Sequence, residues 1–277
     1  MVFKLFRNPF ILINPILTME KMPILFIGHG TPMNAIEKNE FTANWKKIAD
    51  KIPKPKAILC ISAHWQIEGS AVTAMEKPKT IHDFYGFPKK LYDIEYNAPG
   101  SLEYSKLIKE QIKKVNIGLD QEWGLDHGAW SVLVHMFPKA DIQVLELSLD
   151  YNLKTKDIFE IGKDLKKLRE MGILIIASGN LVHNLMVFSP DIKAYDWAID
   201  FDNFVKTSIE KKDYISLIDY EKQKSSRLSH PTNDHYLPLI YILGAVEKDE
   251  KPYFFNEKIV YGSISMRCIA FGMKEDK

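Results

Sequence analysis

The sequence predicts an α/β fold in which a single three-layer α/β/α domain surrounds a central mixed sheet. Short runs of apolar and β-branched residues alternate along the chain with longer segments whose apolar residues recur at helical spacing. The segments between the strand-like runs differ widely in length, which favours a mixed sheet over a purely parallel one. With 277 residues, of which 46% are hydrophobic, the chain is long enough to bury one large core.

The pattern assigns individual elements. Strands are predicted over residues 23–27, 57–62, 71–74, 142–147, 173–178 and 263–271. Helices are predicted over residues 101–114, 127–136, 154–171, 197–212 and 236–245, with Gly172 as a C-terminal cap before the next strand. Residues 77–101 form a long irregular stretch punctuated by glycine and proline, which is typical of a lid or a binding loop beside a site.

The N-terminal residues are expected to lie outside the folded domain. Residues 1–18 are apolar with Lys4 and Arg7 near the start, as in a secretory signal, but asparagine and proline interrupt them and a small-residue cleavage site is missing. We therefore predict a dispensable extension over residues 1–21 and a domain over residues 22–274. Met19 and Met22 are alternative starts, and no other stretch approaches the roughly 20 apolar residues of a membrane span.

Charge and cysteine usage narrow the class of partner. The 37 basic residues nearly cancel the 36 acidic ones, and a net charge of +1 provides no field that would attract nucleic acid or an anionic membrane. A small-molecule partner is therefore favoured. Cys60 and Cys268 stand far apart in apolar runs, which predicts two free buried thiols and a reducing, cytoplasmic location.

Four of the eight histidines share one setting, just past an apolar strand or at the start of a helix, beside small or turn-forming residues; they are His29, His64, His183 and His235. Ligands of open α/β sheets bind beyond the carboxyl ends of the strands, so residues so placed can converge in space. Neutral imidazole is a common ligand of transition metals. Each position taken alone fits a hydrogen-bonded loop residue equally well, whereas the shared setting favours a metal site.

The other histidines have different settings. Asp126 is a candidate N-cap for a helix that begins at His127, and a catalytic role and a structural role remain equally open for that histidine. Structural roles are favoured for His82 and His135, and His230 precedes a proline and is expected to shape the turn that leads to His235.

Six segments occur in order along the chain: residues 28–34 (GHGTPMN), 62–65 (SAHW), 80–84 (TIHDF), 126–128 (DHG), 178–185 (SGNLVHNL) and 234–239 (DHYLPL). Together they closely resemble the DOPA-dioxygenase type of class III extradiol ring-cleavage enzymes. The resemblance runs from about residue 23 to residue 271. One such segment alone would be weak evidence for this family, but six in the same order are specific to it.

The resemblance implies a catalytic domain with one non-haem divalent metal, which opens the ring of a catechol such as L-DOPA with dioxygen. It implies that His29, His64 and His235 are metal ligands and that His183 is either a further ligand or the acid/base. It also implies that His127 lies near the substrate, as a second catalytic histidine. Asp234 is expected to point elsewhere, because this subgroup has a histidine where iron oxygenases usually have a carboxylate.

The identity of the metal follows from the chemistry that the resemblance implies. Fe(II) is expected for turnover, because zinc has a filled d shell and no redox chemistry, and Zn(II) is expected to occupy the site in samples. Four residues near the motifs are candidates for binding the substrate: Thr31, Trp65, His82 and Tyr236. For Trp65 and Tyr236, ordinary core packing is an equally good interpretation.

Two other functions remain open. A zinc hydrolase would use the same histidines to activate water, and it would be fully active with zinc in the absence of oxygen. A metal-dependent structural or binding protein would tolerate the loss of His127 and His183 but not of the ligands. The expected partners of the leading hypothesis are a catechol and dioxygen, and the oligomeric state is left open.

Overall fold

The structure, a computed structural model, describes residues 21–274. The extension predicted for residues 1–21 lies, apart from Lys21, outside this range. Eight strands form the central sheet: β1 (Ile24–Gly28), β2 (Ala57–Ile67), β3 (Ser70–Thr73), β4 (Ile117–Asp120), β5 (Gln143–Asp150), β6 (Ile173–Gly179), β7 (Tyr253–Phe255) and β10 (Cys268–Phe271). Two further short strands, β8 (Ile259–Val260) and β9 (Ile264–Ser265), pair with each other.

The strand order is β4-β3-β5-β2-β6-β1-β10-β7, and the sheet is mixed, as predicted. The four central strands β5, β2, β6 and β1 run parallel. Antiparallel pairs join β3 to β5, β1 to β10 and β10 to β7. The carboxyl ends of β1, β2 and β6 therefore lie side by side, with Gly28 opposite Gly179 and Ser62 opposite Ser178.

Helices cover both faces of the sheet, which confirms the α/β class. They are α1 (Glu40–Ala49), α2 (Lys89–Tyr92), α3 (Leu102–Gln111), α4 (His127–Met136), α5 (Thr155–Glu170), α6 (Asp196–Glu210), α7 (Tyr214–Ile218), α8 (Ser226–Ser229) and α9 (Leu237–Ala245). Alternate strand residues face opposite layers. Ile24 and Phe26 pack with α3, α5, α6 and α9, whereas Leu25 and Ile27 pack with α1 and α4.

Strand β2 is irregular where it reaches the carboxyl edge of the sheet. Ile61 pairs with Leu147 of β5 and Gln66 pairs with Leu149, so five steps along β2 match two steps along β5. Three residues of β2 are thus extra to the ladder. Bulges of this kind redirect side chains and are frequent beside active sites. The irregularity contains His64.

Within residues 21–274, every helix is too short or too polar to cross a membrane. Both cysteines are free and buried, as the sequence predicted.

Candidate metal centre and active site

Three histidines converge at the carboxyl edge of the sheet. His29 follows β1, His64 lies in the irregular part of β2, and His235 immediately precedes the helical turn that leads into α9. One ring nitrogen from each lies within 4.8 Å of the others. The Nε2 atoms of His29 and His64 are 3.2 Å apart. The strand-end pattern in the sequence thus corresponds to a real cluster in space.

Close backbone approaches hold the cluster together. A Cβ atom at Gly179 would lie 2.2 Å from the carbonyl oxygen of His235, and the next residue, Asn180, donates its backbone N–H to that oxygen at 2.9 Å. At Gly128, a Cβ atom would lie 2.4 Å from Ser62 Oγ and 2.9 Å from a ring carbon of His64. Only glycine allows such approaches. The end of β6 and the start of α4 can therefore pack directly against His235 and His64.

The hydrogen bonds behind the rings determine which nitrogen faces the centre. Ser178 Oγ donates to the carbonyl of Gly128 at 2.6 Å, so at 3.0 Å it accepts from Nδ1–H of His29. Nδ1 of His235 lies 2.5 Å from an Asp234 carboxylate oxygen, and Nδ1 of His64 lies 3.3 Å from an Asp83 oxygen. With a proton on each Nδ1, the lone pairs of all three rings reside on Nε2. Such outer partners are typical of metal-ligating histidines.

The donor set fits a divalent metal. Nε2 of His235 is buried and has no protein hydrogen-bond partner, although buried polar atoms are normally paired. The three nitrogen atoms present their lone pairs toward one another rather than toward donors. Imidazole nitrogen is a good ligand for Fe(II) and for Zn(II) alike, so the donor set does not discriminate between the two metals.

Burial keeps these imidazoles neutral. It lowers the pKa of His29 and of His235 well below the ordinary value, and the neighbouring histidines add to the effect. Burial and then His127 lower the pKa of His64 to about 3. Because a metal binds the neutral ring, these shifts favour binding at neutral pH.

Two further histidines lie beside the three. The ring of His183 stacks on that of His235, with 3.5 Å between centroids and an interplanar angle of 6°, and burial lowers its pKa to about 4. His183 is not part of the group whose nitrogens lie within 4.8 Å of one another. His127, the first residue of α4, has its ring centroid 3.9 Å from that of His64. Asp126 caps this helix, as predicted, by accepting from the backbone of Ala129.

Asp83 joins the cluster although the sequence analysis assigned it no role. Its carboxylate accepts from the backbone N–H and from Nδ1 of His127, both at 2.9 Å, and it also faces Nδ1 of His64. Burial alone would raise its pKa, but the hydrogen bonds and charge of His127 outweigh burial and lower the pKa of Asp83 to about 2. One carboxylate therefore orients His64 and His127 together, and these three residues form a second group whose ligand atoms lie within 4.8 Å of one another.

The cluster forms the polar base of a cavity of about 530 Å³. That volume suits a small aromatic molecule. Thr31, a candidate for binding the substrate, lies in the cavity wall. The long loop also borders the cavity, as predicted, through Asp83, Phe84 and Phe87. The remaining apolar wall comes from Leu185, Phe188, Tyr261 and Ile264.

Three of the residues predicted to bind substrate lie outside this wall. Trp65 is buried and stacks on Trp123, with a centroid separation of 5.6 Å. Tyr236 is buried and donates its hydroxyl to the carbonyl of Leu217. His82 bonds through Nε2 to the carbonyl of Ile94. In each case the neighbouring residue, His64, His235 or Asp83, faces the cavity instead.

The remaining histidines hold backbone segments in place. Nε2 of His135 lies 2.7 Å from the carbonyl oxygen of Asn34, and Nε2 of His230 lies 2.7 Å from that of Leu181. Asp234 lies outside the group of three nitrogens, and its carboxylate binds His235 from behind.

The comparison with protein families decides the class of this site. Residues 22–272 match the family described as the catalytic LigB subunit of aromatic ring-opening dioxygenases. The chain belongs to this family. Its activity is accordingly that of an aromatic ring-opening extradiol dioxygenase, and the zinc hydrolase considered above is not favoured.

Individual relatives support the assignment. The chain is 43% identical to the 4,5-DOPA dioxygenase extradiol of Escherichia coli K12 over 93% of its own length and 97% of the relative's. It is 39% identical to the protein of the same name from Beta vulgaris, covering 82% of this chain and 87% of that one. The crystal structure of an uncharacterized Escherichia coli K12 protein superposes with a TM-score of 0.81 at 39% identity, covering 91% of this chain and all of that one.

Proposed function

We propose that this protein cleaves the ring of a catechol with dioxygen at a mononuclear metal held by His29, His64 and His235. The observation that carries the proposal is the convergence of three Nε2 lone pairs at the base of a cavity of catechol size. The names of the relatives, which include 4,5-DOPA dioxygenase extradiol, agree with a catechol substrate. We also propose that residues 22–274 form one catalytic domain, since the family match spans nearly all of it.

Bound Fe(II) would supply a redox-active centre through which electron density passes from the catechol to dioxygen; zinc has no redox chemistry and would give an inactive form. In this proposal the two hydroxyl groups of the catechol face the histidine cluster. The aromatic walls formed by Phe84, Phe87 and Phe188 hold the ring and exclude water.

We assign His183 to proton transfer rather than to the metal. Its ring lies against the face of His235 instead of directing a nitrogen into the group of three. It is neutral at physiological pH, because burial lowers its pKa to about 4, so it can accept the proton of a catechol hydroxyl. General bases of this kind typically contribute about 10² to 10⁴ in rate.

We assign His127 to proton donation, the reverse of the role of His183. Its Nδ1 is engaged by Asp83, which leaves Nε2 as the atom that can hold a proton toward the cavity. His127 therefore donates a proton, or a hydrogen bond, to oxygen that becomes negatively charged as the ring opens.

The decisive experiment measures oxygen uptake and absorbance after anaerobic reconstitution of the metal-free protein with Fe(II) or with Zn(II), using L-DOPA and simpler catechols. We expect uptake of one dioxygen per catechol and a yellow ring-opened product with iron only. Absence of uptake with every catechol would overturn the proposal.

The two proton-transfer assignments need separate variants. His183→Gln and His127→Gln should retain one metal per chain but lose about 10² or more in kcat. His135→Gln, in which a histidine that only binds backbone is changed, is the matched control and should keep both metal and turnover. Loss of metal in His183→Gln would instead make His183 a ligand.

A further inference from the structure

The cavity has an uneven distribution of charge. Among the described residues that line it there is neither lysine nor arginine, whereas two carboxylates, those of Asp83 and Asp234, belong to the wall. Their side chains retain 18% and 22% exposure. Each accepts from Nδ1 of a histidine, on the side of the ring away from Nε2, and its partly exposed carboxylate also lines the cavity.

Two basic residues that are close in sequence to the wall, Arg267 and Lys89, have acidic partners elsewhere. Arg267 follows the lining residue Ile264 by three positions, but its guanidinium is paired with Asp202, at 2.9 Å from Nε, and with Glu257. Lys89 follows Phe87 by two positions and is paired with the exposed carboxylate of Asp93 at 2.5 Å. Neither side chain is therefore directed to an anion in the cavity.

The mouth of the cavity provides no compensating polarity. Leu185 and Phe188 are partly exposed there, and Phe188 stacks on Tyr261 with 4.4 Å between ring centroids. Phe84 and Phe87 of the 77–101 loop line the cavity as well. A catechol whose hydroxyl groups face the histidines must point its ring substituent toward this apolar rim, where a carboxylate would lose water without gaining a cationic partner.

We infer that the site selects catechols whose ring substituent is uncharged or cationic, and that it discriminates against a substituent that is purely anionic. The inference rests on the proposed function and names the substrate class within it. L-DOPA, whose side chain carries both an ammonium and a carboxylate group, falls between the two classes. The discrimination resides in binding, because the substituent lies away from the carbon atoms that react.

The test compares four catechols that differ only in the substituent para to one hydroxyl: 4-methylcatechol, dopamine, L-DOPA and 3,4-dihydroxyphenylacetate. With Fe(II)-loaded enzyme, kcat/KM should be highest for the first two and about tenfold or more lower for the last, with the difference in KM. Anaerobic calorimetry with Zn(II)-loaded protein, which does not turn over, should show the same order in Kd. The ratio should decrease as salt is added.

A charge placed at the rim should shift this preference. Leu185→Arg should lower the KM for 3,4-dihydroxyphenylacetate relative to that for dopamine, and Leu185→Gln, which is polar but uncharged, should leave that ratio near its original value. Equal or tighter binding of the anion by the original protein would overturn the inference. If none of the four catechols is cleaved, the proposed function itself fails, which is a different result.

Discussion

Two buried polar clusters lie at different places around the sheet, and they differ in what they leave unpaired. At one, Arg169 of α5 is fully buried and binds the carbonyls of Met22 and Ala245 at 2.9 and 2.8 Å, together with both carboxylate oxygens of Glu250. At the other, the histidine cluster, outer nitrogens are bound, but Nε2 of His235 has no partner and the Nε2 atoms of His29 and His64 have only each other. Internal pairing of the polar groups is typical of a structural cluster, whereas open lone pairs are what the proposed metal site requires.

The largest expected effect is the loss of a ligand. His235→Ala should reduce the metal content to less than about one tenth per chain and lower dioxygenase activity at least about 10³-fold, because two nitrogens cannot hold the ion as three do. Elemental analysis and oxygen uptake measure both. His135→Gln should change neither, and retention of metal by His235→Ala would exclude it from the ligand set.

Next in size is disruption of the other cluster. Arg169→Met should cost about 3 kcal/mol of unfolding free energy, because Glu250 would remain buried with only Lys21, at 3.3 Å, as a cationic partner. Denaturant unfolding measures the loss. Metal content per folded chain should stay the same, and the double variant Arg169→Met/Glu250→Leu should recover a large part of the stability. A loss of metal at unchanged stability would remove the distinction between the clusters.

A buried histidine outside the metal cluster gives a pH-dependent effect. Burial lowers the pKa of His230 to about 4, so between pH 6.5 and 4 the unfolded chain binds a proton that the folded chain does not. The contribution of His230 to the unfolding free energy is therefore fully present above pH 6.5. It is lost as the pH falls toward 4, and the loss amounts to roughly 3 kcal/mol. His230→Phe should show a shallower decrease in unfolding free energy than the original protein over this range; an unchanged slope would contradict the assignment.

The smallest effect concerns the carboxylate that joins two histidines. Asp83→Asn should weaken metal affinity and lower kcat by about 10- to 100-fold. The amide oxygen can still accept one hydrogen bond from His127, but the side chain no longer places a negative charge beside His127 and His64. Competition with a chelator and steady-state kinetics measure the two losses. Asp93→Asn, an exposed carboxylate in the same stretch of chain, is the matched control. Effects of equal size in both variants would show that Asp83 has no special position.

The regular elements could be predicted well from periodicity. Helix α4 has the predicted bounds, whereas α5 differs from prediction by one residue at each end and α9 by one residue at its start. Helix α1 was missed although Asn39 and Thr42 form a capping box and Phe41, Trp45 and Ile48 recur at helical spacing, so the sequence does contain the signals for it. Strands β4 and β7 have four and three residues, and only their neighbours in the sheet define them. The strand predicted over residues 263–271 is broken at Met266 and Arg267 into β9 and β10.

Part of the site could be predicted for a similar reason, since the histidines follow strands whose order the alternation suggests. Asp83 could not, because its role depends on where an irregular loop meets α4. The choice of Trp65 as a candidate for binding the substrate could have been avoided. Trp65 directly follows His64, and successive residues of an extended chain point to opposite sides. The same alternation separates His82 from Asp83.

The irregularity in β2 has a consequence for how this scaffold could diversify. Both flanks of the three extra residues are anchored in the ladder with β5, so backbone hydrogen bonds set the position of His64. The walls that contact a substituent come instead from the 77–101 loop, which an isolated bridge between Thr80 and Leu125 holds, and from residues 185–188, and both segments lie outside the strands of the central sheet. Substrate range can thus evolve by exchanging these two surface segments while the chemistry of the centre is inherited intact.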